Sequence, residues 1–85
     1  VDPVLDISIN KLLAREFTRM QELKTRLKNQ LAEFEHTYSL TSNEFYTRYE
    51  KGEMGDEMDF VEWAATIEMI HNVEKRLTIL QIDRF

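Results

Sequence analysis

The sequence holds two Glu-x-x-His pairs, Glu33 with His36 and Glu68 with His71. A carboxylate and an imidazole three residues apart share a helix face, and helical bundles hold two irons with such pairs. Ligands of that kind must project into the core. At ~100° per residue, Glu33 lies about 130° from the centre of the Leu27, Leu31, Phe34 stripe and His36 about 170°. Glu68 is about 130° off the Trp63, Ile67, Ile70 stripe, while His71 sits on its flank at about 70°. Three of the four face water, which argues against a di-metal site.

The stretch "GEMGDEMDFVEW", residues 52 to 63, is the second place where chemistry could sit, with five acids and both glycines ahead of the only tryptophan. A calcium loop needs alternating oxygen ligands, a central glycine and a closing glutamate at fixed spacing, and this stretch does not have them. The chain has no cysteine, so it forms no disulfide and no thiolate metal site. It also lacks a glycine-rich phosphate loop and a serine elbow for nucleophilic chemistry. The expectation is a protein that is not an enzyme, with no catalytic residues and no metal or other cofactor.

Eighty-five residues make one domain, near the lower size limit for a chain built on one core. No run of about 18 apolar residues offers a transmembrane span, and no signal-peptide pattern is visible, so the expected compartment is the cytoplasm. The chain begins on valine, consistent with a trimmed leader or tag. Net charge is −5 and unevenly placed: residues 39 to 85 carry ten acids against five bases, and from Glu53 to Glu74 there are seven acids and no base. Such a surface repels nucleic acid and attracts basic partners. Lys11, Arg15 and Arg19 form a short basic stripe whose simplest reading is a solvated helix face.

These residues need elements to position them, and the periodicity supplies helices. Leu13, Phe17, Met20, Leu27, Leu31, Phe34 and Tyr38 recur at spacings of three, four or seven, which predicts a long amphipathic helix over about residues 7–38. Thr41 as N-cap, Glu44 as its capping-box partner and Leu40 with Phe45 as a hydrophobic staple predict a second helix over about 42–51. Phe45 and Tyr49 share its inner side, and Gly52 stands where a left-handed C′ residue is wanted. Gly55 then lets the loop turn. Asp59 is expected to cap a third helix over about 60–80, with Glu62 as box partner and Met58 and Trp63 as staple. Phe60, Trp63, Ile67, Ile70, Val73 and Leu77 share one face of it. The fold class is all-α: a long amphipathic helix, a short helix and a third amphipathic helix packed as a bundle. Neither long stripe is covered by one chain alone, so a homodimer is expected.

Glu74 falls within ~10° of the middle of the third helix's stripe. Either it is buried and paired, with Lys24 as the natural partner, or the helix has left its core by that point.

The segment "LTSNEFYTRYEKGEMGDEMDFVEWAATIEMI", preceded by a long amphipathic helix, resembles a group of small bacterial and archaeal proteins. They share a phenylalanine-aromatic pair, a Gly-x-x-Gly-Asp acidic loop and an aspartate-aromatic-x-x-Trp helix start, matched here by Phe45, Tyr46, Tyr49, Gly52, Gly55, Asp56, Asp59, Phe60, Trp63 and Ala64. Many look like antitoxin partners in type II toxin–antitoxin modules. The resemblance implies a module that neutralises a basic toxin through an acidic helical surface. The chain departs from a standard antitoxin in having no helix-turn-helix and no basic strand for DNA.

The expected function is therefore a protein-interaction module with an acidic face for a basic partner, as such pairing gains speed and orientation from complementary charge. The alternative is a purely structural coiled-coil-like protein that associates with itself. Once caps are assigned to Asp59 and Glu62, the acids Glu53, Asp56 and Glu57 remain as the candidate partner-binding residues. Phe45, Tyr49, Gly52, Gly55, Asp59, Trp63 and Glu74 are the candidate structural ones.

Overall fold

A computed structural model describes the backbone of residues 3–83 and the side chains of residues 8–81. The single domain expected over 1–85 thus has its outermost residues outside the described part. Among the described residues there are three helices and no strand: α1 (Pro3–Tyr38), α2 (Ser42–Glu50) and α3 (Met58–Asp83). α1 begins four residues before the expected start. Proline is well suited to a first helical turn, because its fixed φ fits and its missing N–H is one no helix start needs. The apolar stripe opens only at Leu13, so periodicity carried no signal for that extension.

α1 and α3 run antiparallel, and α2 lies across α3 near the connection. Thirty-six residues at 1.5 Å each make α1 about 54 Å long, which accounts for the longest dimension of 56 Å. Register follows from two contacts. Tyr38 hydrogen-bonds Asp59 and Phe34 stacks on Trp63, so each step back along α1 meets one step forward along α3. At that register Asp83 reaches the level of about Ala14, and the first turns of α1 extend past the described end of α3.

The chain reverses through two capped ends. Ser39 adopts φ 51°, and the Leu40 N–H reaches back to the Glu35 carbonyl, closing α1 with a left-handed residue. Thr41 then caps α2 as expected, its hydroxyl accepting from the Glu44 N–H at 3.1 Å. The Glu35 carboxylate accepts a further orphan donor, the Ser42 N–H, at 2.7 Å. α2 ends at Gly52, φ 76°, with Gly52 N–H on the Tyr49 carbonyl and Glu53 N–H on the Arg48 carbonyl. That pair of bonds is the Schellman arrangement, and it requires the positive φ that glycine adopts without strain.

The core falls into two clusters. At the closed end, Phe45, Phe60, Trp63, Ala64 and Ile67 are buried, with Phe34, Tyr38, Leu40, Tyr46, Tyr49 and Met54 against them. Along the rest of the hairpin, Met20, Leu27, Ile70, Val73, Leu77 and Leu80 form a thinner layer between two helices.

Three expectations need correction. Helix three starts at Met58, and its first intrahelical bonds, from Phe60 and Val61, close on the Glu57 carbonyl, so Glu57 and not Asp59 holds the cap position. Met58 is 69% exposed and makes no staple with Trp63; Met54 is the methionine that packs on the closed-end cluster. Glu74 is exposed, yet Val73 before it and Leu77 and Leu80 beyond it are buried, so neither reading of that residue holds. Measured from Trp63 at ~100° per residue, the buried face of α3 turns from about +50° at Phe60–Ile67 to about −70° at Val73–Leu80. The first half is covered by α1 and α2 together, the second half by α1 alone. Glu74 therefore sits on the flank that α2 no longer reaches.

Candidate functional site

The closed end is built on Trp63, which is fully buried. Its ring lies flat on Phe45 at 4.0 Å and 1°, with Phe34 stacked at 5.5 Å and Tyr38 at 5.8 Å. Its indole Nε1–H donates to the Ser42 hydroxyl at 3.0 Å, so the one polar atom of the ring is satisfied. One ring thus ties all three helices together, and no face of it is left for a ligand. Phe45 is fully buried like Trp63, and Tyr49 tilts against Phe45 at 5.5 Å.

This aromatic block holds out a rim of carboxylates. Gly52 and Gly55, at φ 76° and 80°, turn the backbone between α2 and α3. Met54 is tucked inward between them, while Glu53, Asp56 and Glu57 stay exposed. Glu53 shares a shallow hollow with Arg48 of α2 and with Lys51 just past its end. Among the described residues the only ion pair is Arg19 with Glu16, at the other end of the molecule, so none of the three loop acids is paired with a described base. The three residues expected to meet a partner are brought to one end, on one loop.

Asp59 does different work from a cap. Its Oδ2 accepts from the Tyr38 hydroxyl at 2.5 Å. Tyr46 likewise donates to Glu68 Oε1 at 3.0 Å, linking α2 to α3. Both phenols are pushed up to about 12, chiefly because an ionised tyrosine would lose that bond and face the carboxylate it now donates to. In an unfolded chain a tyrosine titrates near 10. Raised phenols stabilise the fold fully below about pH 10, and that contribution disappears as pH climbs towards 12. Unfolding free energy measured from pH 9 to 12 is expected to fall more steeply for the parent than for a Tyr38→Phe, Tyr46→Phe double variant. Lysine titration is common to both, so equal slopes would show that neither phenol is linked to folding.

Neither tyrosine pair was read from the sequence. The usable signal was that a half-buried tyrosine or tryptophan seeks a partner for its polar tip, and only the register says which residue arrives there. Of the two Glu-x-x-His pairs, all four side chains are exposed, and Glu68 is occupied by Tyr46. Among the described residues no three His, Asp or Glu side chains gather in a way that could hold a metal ion.

On the face away from α2, a groove of about 490 Å³ runs between α1 and α3, lined by Glu33, Phe34, Thr37, Asp59, Glu62 and Met69 among others. It is open to solvent and contains no nucleophile paired with a base.

Fold and site together define a class: a small helical hairpin whose aromatic closed end presents unpaired carboxylates. No protein-family model matches the chain, and no curated protein or solved structure is significantly similar to it. Among the described residues no helix is long and apolar enough to cross a membrane.

Proposed function

We propose that the chain is a non-enzymatic protein-interaction module whose acidic closed end binds a basic partner protein. The resemblance of residues 40–70 to antitoxin-like proteins makes a toxin the favoured partner. The observation that carries the reading is the loop 53–57, where three exposed carboxylates are held by two positive-φ glycines and a half-buried methionine, with no base among the described residues paired to them. Fixed, unpaired charge of one sign costs the fold self-repulsion; Glu57, at the cap position of α3, draws on the helix dipole, but Glu53 and Asp56, ahead of the first turn, gain little from it. A basic partner surface makes that cost useful by steering association.

The test is co-purification with the product of the adjacent reading frame, then stopped-flow association at two ionic strengths. Neutralising the loop (Glu53→Gln, Asp56→Asn, Glu57→Gln) is expected to leave the melting temperature unchanged or raised. It should also slow association by about tenfold at low salt and flatten its salt dependence. If the adjacent product is not basic, or does not co-purify, the reading fails. An unchanged rate with a clearly lowered melting point would assign the acids to the fold.

A further inference from the structure

The groove opposite α2 has features that neither the closed-end loop nor the hairpin's own packing explains. A second hollow of about 230 Å³, lined by Met20, Leu23, Met69, Val73 and Arg76, continues the first along the same face, and Met69 is common to both. Met69 is nevertheless 47% exposed, a large apolar side chain where the two hollows meet. Leu23 beside it is only half-buried. In a two-helix layer this is the side that nothing covers, since α2 lies on the other.

Charge is polarised along the same direction. Residues 8–26 and 71–81, the open end of the hairpin, carry seven bases against three acids. Residues 27–70, the closed end, carry ten acids against three bases. On the groove itself, Arg76 stands at the open side of Met69 and Glu62 at the closed side. Each is seven residues from Met69, two helical turns in opposite directions.

We propose that this face docks a second copy of the chain antiparallel, about a two-fold axis passing near Met69, so that Arg76 of each copy meets Glu62 of the other. A two-fold interface is self-complementary, and this surface has the required pattern: an apolar centre with opposite charges equidistant from it. A parallel dimer would stack arginine on arginine and carboxylate on carboxylate, which is strongly unfavourable. The arrangement buries Met69 and Leu23 and leaves the 53–57 loop of each copy free at opposite ends, so it stands independently of the partner reading above.

The chain has no cysteine, which makes a clean test available. Light scattering at about 100 micromolar should give twice 10.2 kDa, and a well-behaved monomer overturns the proposal. Met69→Cys, an exposed and conservative change, should form an interchain disulfide on mild oxidation, whereas Arg76→Cys should not cross-link to itself. Cross-linking of Arg76→Cys as well means a parallel dimer and overturns the arrangement, and so does a Met69→Cys protein that does not cross-link. Arg76→Glu and Glu62→Arg should each raise the dissociation constant by at least about tenfold. Mixing the two should restore association as a heterodimer, and failure to do so removes the pairing. Both side chains are at the surface, and circular dichroism of each variant confirms that the fold is kept.

Discussion

Trp63→Ala is expected to lower the melting temperature by about 15–30 °C, the largest effect of any single truncation in the chain. Replacing a fully buried tryptophan by alanine typically costs about 3–5 kcal/mol, from lost burial and the cavity left behind. In a domain of this size each kcal/mol is worth roughly 4–8 °C. The site cannot collapse easily: Phe34 and Tyr38 from α1 and Phe45 from α2 all rest on the missing ring. The Ser42 hydroxyl also loses its donor. Trp63→Phe should recover most of the loss, because the stack on Phe45 survives and only the indole N–H is gone. A Trp63→Ala protein melting within a degree of the parent, together with full quenching of the parent's tryptophan fluorescence by a soluble quencher, would mean the ring is exposed and the account wrong.

Leu27→Ala tests the other half of the molecule. Leu27 and Ile70 are both 5% exposed and belong to the cluster that holds the two long helices together away from the aromatic block. Truncating a buried leucine costs about 2–5 kcal/mol, and the thin layer here gives no third element to fill the space. The companion is Glu74→Ala. If Glu74 were buried and paired, removing it would cost about 3–5 kcal/mol. Exposed as it is, the change should stay within about 0.5 kcal/mol. Urea unfolding of the two variants therefore reads out the turn of the buried face along α3. A mild Leu27→Ala beside a severe Glu74→Ala would mean that α3 presents a different face to α1.

What the sequence by itself determined is local. Three helices, the Thr41 cap and the left-handed Gly52 followed from periodicity and turn chemistry, which act within a few residues and leave their mark in adjacent letters. Acid crowding between Glu53 and Asp59 was equally plain, because loop charge needs no fold to be counted. The tertiary structure decided whatever depends on which residue of α1 lies opposite which residue of α3. Asp59 has a capping side chain two positions from the cap, and only the arrival of Tyr38 21 residues away turned it to another use. Glu74 sits at the centre of an ideal heptad stripe, yet α2 stops short of it, so the buried face rotated towards Val73. Met58 and Met54 are alike in type and both flank the loop, and backbone direction after Gly55 settled which one enters the core. Helix propensity and capping are energies of neighbours in the chain, whereas registry is an energy of neighbours in space, and a single sequence carries the first explicitly and the second only as a pattern awaiting a partner.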